Sequence, residues 1–444
     1  MKTKISLVII FTLILVNSVA FAEPEKQNIQ ENKAKVKIEK NDNINYNIGK
    51  RKMLGLDSEK STVEKIVLQS NTENVTYEDF YLTVEEKEIL DRRFKHQNEY
   101  IPKLKQSAIR ALTEEQFGGI YVNQEEGGVV YIGIKEMAKS NKDNLSFIKE
   151  IYGDTSNVKF INTRYSEEEL LQTADALFNS KSLLSDAGIE IQYTALDTIN
   201  NVVEVGLINN TEENQKYLIE KYGDKLTFYT ADPSDFQNEG DQVTATNPVQ
   251  GGVQILNDTA QKLCSVGFSA KSNAGEHFLV TAGHCYGNGS LNTFYHPDKA
   301  HSNKIIAGGH IQHVKNSGNV DAMLIGVHKD FVTNKVYFQY VGSKSLTSYA
   351  KDSSEFVGQH VCIASRSNDT CGTILSTSLS AGPNTNLTAA SYMAIGGDSG
   401  GTIFGNSVLH GVHTGNGSLS GNAVEVYSQV EHILKHFNIV PILN

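Results

Sequence analysis

The apolar residues of this chain change their pattern three times, and each change marks a different kind of segment. Ile5 to Val16 is an apolar run broken only by Ser6 and Thr12, preceded by Lys2 and Lys4 and followed by Ala20-Phe21-Ala22. A positive start, a short apolar middle and small residues at alternate positions predict a secretory signal over 1–22, cut after Ala22. An uncleaved anchor is the competing reading, but the run is shorter than the ~20 residues a membrane span needs. Over residues 23–80 the apolar positions thin out among Lys, Glu, Asn and Gln. So few offer too little burial to offset chain entropy, and a disordered linker is expected.

Regular spacing begins at Thr83. Thr83 with Glu86 fits a capping box, and Leu90, Phe94, Ile101 and Leu104 follow at helical spacing. Ile120–Asn123 and Val129–Ile134 read as strands flanking Glu125-Glu126-Gly127-Gly128, a hairpin with glycine at its turn. Ser166 with Glu169 starts a second helix through Leu170, Leu171, Ala174 and Leu177. A second pair of strands, Ile189–Leu196 and Val202–Leu207, meets at Asn200-Asn201. Helices alternating with hairpins predict an α+β unit over 81–240. Asp232–Gln250, with Pro233, Pro248 and several Asp, Asn and Gly residues, reads as an exposed linker of the kind proteases cut. Beyond it, short strand-like runs separated by Gly, Asn and Ser clusters recur to about residue 428, the pattern of an all-β barrel. A last helix, Ser428–Phe437, gathers Val430, Ile433, Leu434 and Phe437 on one face.

Charge divides the chain at the same place. Of 444 residues with formal charge −11, those from Gly251 onward hold 11 Lys plus Arg and 11 Asp plus Glu, so the whole excess lies in residues 1–250. Twelve of the 13 histidines and all four cysteines fall in the neutral later part. A charge-rich helical half and a neutral β half suit an exchangeable segment followed by a secreted body. No basic stripe argues for nucleic acid, and no later run is long and apolar enough for a membrane.

Two strings in the later half carry chemistry: Thr281-Ala282-Gly283-His284-Cys285 and Gly396-Gly397-Asp398-Ser399-Gly400-Gly401. Acyl transfer needs a nucleophile, a base titrating near the working pH and backbone N–H groups that can approach an oxyanion. Ser399 fits the first role, His284 the second, and the N–H groups of Gly397 and Ser399 the third. Asp321 heads the apolar run Val320–Ile325, where a buried carboxylate could orient His284; Asp298 and Asp330 are rivals set among turn and charged residues. Gly397, Ser399 and Gly401 also satisfy the Gly-x-Ser-x-Gly elbow of esterases. That reading needs a later acid and histidine, leaving only Glu425 with His432 or His436, and a helix where Thr402–Asn406 reads as strand and turn.

With Cys264-Ser265-Val266-Gly267-Phe268 and the segment from Val361-Cys362 to Cys371-Gly372, these strings resemble the secreted bacterial chymotrypsin-fold proteases of the alpha-lytic protease and streptogrisin type, over about 245–444. Phe117-Gly118-Gly119-Ile120-Tyr121 followed by Glu125-Glu126-Gly127-Gly128 is similar to the propeptides of that family. The resemblance implies an all-β double β-barrel preceded by an α+β propeptide, a secreted endopeptidase made as a zymogen, and the pairs Cys264–Cys285 and Cys362–Cys371 among three connectivities. It implies protein or peptide substrates and the chain's own propeptide as partners; a monomer with no cofactor, metal or stable membrane association is expected. A catalytically idle peptide- or surface-binding relative is the alternative from another class, though such relatives usually lose His, Asp or Ser. Two departures stand out. No cysteine occurs around Tyr392–Ile395 to hold the pocket wall, and Ile363 stands where many relatives carry an arginine, leaving Arg366 as a possible partner for Asp398. The expected specificity pocket is formed by His413, Ala394 and Asn416. Glutamyl endopeptidases have a histidine where His413 stands, so His413 is either a donor to a substrate carboxylate or a structural histidine of the pocket wall.

Overall fold

The computed structural model describes residues 44–68, 74–77, 80–231, 245–287, 292–299, 313–338, 342–367 and 369–443. The secretory signal, residues 23–43 and most of the Asp232–Gln250 linker lie outside these.

The expectation of a disordered linker over 23–80 fails from Ile44 onward, where helices Ile44–Met53 and Lys60–Leu68 form. Counting apolar residues missed what holds them. Arg51 is fully buried, and its guanidinium meets both carboxylate oxygens of Glu86 at 3.0 and 2.5 Å, while its Nε–H donates to the Asp57 carbonyl at 2.6 Å. The Tyr81 N–H donates to Asn47 Oδ1 at 2.9 Å, and Leu54 packs with Phe80, Leu82, Leu90 and Phe94. Glu86 does this while closing the capping box of helix Val84–Leu112 with Thr83. A buried charge is tolerated only when paired and hydrogen-bonded, and here a helix cap supplies the pair.

After that the chain repeats one topology. Helix Val84–Leu112, the antiparallel hairpin Phe117–Asn123 and Val129–Lys135, helix Lys142–Tyr152 and strand Val158–Thr163 form the first unit. Helix Glu167–Asn179, hairpin Ile191–Asp197 and Val202–Leu207, helix Glu212–Tyr222 and strand Leu226–Thr230 form the second. In each, the last strand pairs parallel with the second hairpin strand, which is why a helix must cross between them.

From residue 251 the chain is β-rich. One sheet runs in the order Val314–Ser317, Val320–Val327, His277–Thr281, Phe268–Ser272, Ile439–Pro441, with Lys262–Ser265, Gln254–Asn257 and Phe294–Tyr295 forming a second sheet around the same core. Six later strands close completely: His360–Ala364, Thr402–Gly405, Val408–Leu419, Asn422–Gln429, Asn384–Ala390 and Asp369–Ala381 pair in turn, and the first also pairs with the last. Helix Val430–Phe437 follows, returning the chain to the first barrel as Ile439–Pro441. The later half is therefore a chymotrypsin-like double β-barrel, and an α+β region precedes it.

The two halves share a sheet. Strand Asp369–Ala381 is 13 residues long, and its far end pairs antiparallel with Ile191–Asp197, so the second α+β unit adds three strands beside the closed barrel. A second contact lies where Phe356, 2% exposed, enters the core of the first unit among Ile101, Leu104 and Val122. The Val122 N–H donates to the Val357 carbonyl there at 2.8 Å.

Candidate active site

Strand pairing carries His284 to Asp321. His277–Thr281 lies antiparallel to Val320–Val327 with Thr281 opposite Met323, so the turn Gly283–Cys285 that ends the first strand arrives at the start of the second. A side chain at Gly283 could not be accommodated, because a Cβ would stand 2.1 Å from the Lys315 carbonyl oxygen. Asp321 is fully buried and grips the histidine twice: Oδ1 accepts the His284 N–H at 2.9 Å, and Oδ2 lies 2.7 Å from Nδ1. Its own N–H donates to Ser428 Oγ at 2.8 Å. A carboxylate on Nδ1 selects the tautomer that carries the proton there and leaves Nε2 as the acceptor. Of the rival carboxylates, Asp330 is exposed and faces His328 at 3.2 Å.

Ser399 reaches the same place from the second barrel. Its carbonyl accepts the Ser265 N–H at 2.8 Å, the Gly400 N–H donates to the His413 carbonyl at 2.8 Å, and the His413 N–H returns to the Gly401 carbonyl at 2.9 Å. Gly400 has φ +87°, and a Cβ there would stand 2.1 Å from Thr281 Oγ1 and 2.3 Å from the Ser265 carbonyl, so only glycine lets the serine loop press against the histidine strand. Gly397 has φ +80°. Among the described residues, no protein acceptor takes the Gly397 or Ser399 N–H. Ser399 itself is 3% exposed, and His284 Nε2 is buried without a hydrogen-bond partner, so the hydroxyl and the imidazole are not bonded in this state. Such bonds are commonly loose until substrate is bound.

Asp398, fully buried under the loop, accepts the Ile395 N–H at 2.8 Å, the Ser367 N–H at 3.1 Å and the Ser367 hydroxyl. The Arg366 side chain donates from Nη1 to Gln254 Oε1 at 2.9 Å, and its N–H to Ser265 Oγ at 3.0 Å. The disulfides are Cys264–Cys285, joining the strand before the histidine to its turn, and Cys362–Cys371, the pairing the resemblance implies. Among the described residues, the one cluster with metal-ligating atoms close together is His360, Cys362 and Cys371, and its two sulfurs are bonded to each other.

His413 and Ala394 both meet Glu425, whereas Asn416 is exposed and stands opposite Glu425 only in the strand register. Glu425 lies opposite Asn416 on the adjacent strand; its Oε1 accepts the Ala394 N–H at 3.1 Å, and its Oε2 is 3.7 Å from His413 Nε2. The other imidazole nitrogen of His413 bonds the Tyr392 hydroxyl at 3.0 Å. Burial, and then the neighbouring His284, holds the His413 imidazole down to about 3. Burial pushes the Glu425 carboxyl up to about 8, the Ala394 N–H opposing and Asp398 adding to it. The esterase set is not assembled: Glu425 faces His413, His432 faces Asp352 at 3.4 Å, and a strand, Thr402–Gly405, follows the serine. One sequence signal pointed to Glu425. It is the single acidic or basic residue, histidines aside, between Asp398 and Glu431.

No family model and no curated protein matches this chain. Solved structures do. A Nocardiopsis protease is 27% identical, with 44% of this chain and 98% of that one covered and a TM-score of 0.35. Thermobifida fusca protease A is 24% identical over 44% and 99% at 0.34. A serine protease described as glutamic acid specific, with a histidine triad in substrate binding, is 22% identical over 44% and 100% at 0.35.

Proposed function

We propose that this chain is a secreted serine endopeptidase made as a zymogen. Residues 1–22 direct export, 81–240 are a propeptide that stays with the protease as its partner, and 245–444 are the enzyme. Ser399 attacks the peptide carbonyl, His284 takes its proton and returns it to the leaving amine, and Asp321 orients the imidazole and stabilises its charged form. The N–H groups of Gly397 and Ser399 receive the oxyanion, a role in which losing one donor costs about 3 kcal/mol of barrier. The observation that carries this reading is the buried Asp321 carboxylate on Nδ1 of His284, at 2.7 Å, beside a serine loop in which the Gly397 and Ser399 N–H groups have no acceptor among the described residues.

A glutamate preference rested on His413 offering a donor to a substrate carboxylate. The Nε2 that would serve faces Glu425 instead, which weighs against that preference. The proposal as a whole is tested by Ser399→Ala expressed in a protease-free background. Loss of peptide hydrolysis together with accumulation of unprocessed chain supports it; processing at the normal rate overturns self-cleavage, and retained hydrolysis overturns the role of Ser399.

A further inference from the structure

Glu425 is a buried carboxylate that the proposed chemistry does not use, and it lies inside the proposed specificity pocket. Its side chain is 9% exposed, and Oε2 is buried without a hydrogen-bond partner among the described residues. It touches both walls, accepting the Ala394 N–H on one side and facing His413 Nε2 on the other, with Asn416 opposite it in the strand pair. A buried polar atom lacking a partner calls for an explanation, and in a pocket the simplest is that a ligand supplies the missing donor.

We propose that Glu425 sets the specificity of this pocket, selecting a side chain that brings a cation or hydrogen-bond donor, lysine or arginine, before the scissile bond and rejecting glutamate. The inference rests on the endopeptidase reading of the same site. Its physical basis is the charge the pocket holds before substrate arrives. His413 and Glu425 share one proton between them, which leaves the pair neutral wherever that proton sits. A cationic side chain is matched when the pair gives that proton up; a carboxylate is matched only when the pair takes a second one. With Glu425 held up near 8 and His413 held down near 3 by burial, a pH near 7 lies closer to the loss of that proton than to the gain of a second one. Geometry agrees, because a substrate carboxylate approaching His413 Nε2 would meet Glu425 Oε2 at the same nitrogen.

The experiment measures kcat/KM of the processed full-chain product on peptides identical except for Lys, Gln, Phe or Glu before the scissile bond. Wild type, Glu425→Gln and Glu425→Ala are compared, each normalised to the fraction of enzyme that fluorophosphonate labels. The expected result is that wild type cleaves the Lys peptide at least 100-fold better than the Glu peptide, and that Glu425→Gln cuts this ratio at least tenfold. Labelled enzyme that cleaves the Glu peptide as well as the Lys peptide, or a ratio unchanged in both variants, overturns the inference and leaves the endopeptidase reading standing. Absence of both labelling and hydrolysis in wild type overturns the endopeptidase reading and the inference with it.

Discussion

Asp321 makes two hydrogen bonds to one histidine, and its role predicts more than a loss of stability. In Asp321→Asn the side-chain amide can present a donor to Nδ1, which favours the tautomer with the proton on Nε2 and removes the base's acceptor. The fall in kcat expected is on the order of 10⁴-fold with KM little changed, measured on any peptide the wild type cleaves. Glu425 carries the pH dependence. Its folded value near 8 lies above the ordinary carboxyl range, so between about 4.5 and 8 the folded state holds a proton that the unfolded state has released. This group's contribution to stability is therefore fully present below about 4.5 and is lost as pH rises through 8. Glu425→Gln in an inactive Ser399→Ala background should flatten the decline in urea midpoint between pH 5 and 8; an unchanged profile would show that Glu425 is ionised when buried. Neither the value nor the location of Glu425 could be read from spacing, since both come from a strand pair and a loop that meet only in the fold. His284, Asp321 and Ser399 could be singled out because each sits in a distinctive local string.

At the scale of elements, what the sequence disclosed was local and what it hid was pairing between distant segments. The capping boxes at Thr83–Glu86 and Ser166–Glu169 form as read, and the two hairpins lie within a few residues of their expected bounds. Strands Val158–Thr163 and Leu226–Thr230 were missed because a parallel partner leaves no turn between them. Helices Ile44–Met53 and Lys60–Leu68 were missed because a buried arginine, not an apolar stripe, fastens the first of them. The same logic makes Phe356 a strong test of the contact between halves. It leaves a loop of the later half to fill the first α+β core, so Phe356→Ala in the Ser399→Ala chain should cost about 3–5 kcal/mol in urea unfolding. A loss under about 1 kcal/mol would mean that this core closes without it.

Across the whole molecule, the closed second barrel and the second α+β unit form one continuous sheet through Asp369–Ala381. That arrangement suits the proposed propeptide role as a folding template, since three strands of the second α+β unit extend the sheet from one of the barrel's longest strands. Deleting residues 23–240 should leave a chain whose refolding to activity is slowed far below that of the full chain, because Asp369–Ala381 must then find its barrel partners without the strand that pairs with its far end. Refolding of the shortened chain to full activity at the full chain's rate would remove the template role.

The most direct test of the account is fluorophosphonate labelling of the secreted protein, with the mass and the modified residue of the labelled chain determined together. The account predicts a single adduct on Ser399, carried by a chain that begins within residues 232–250. Labelling at another residue, or no labelling of secreted protein that is folded and disulfide-bonded, would contradict it.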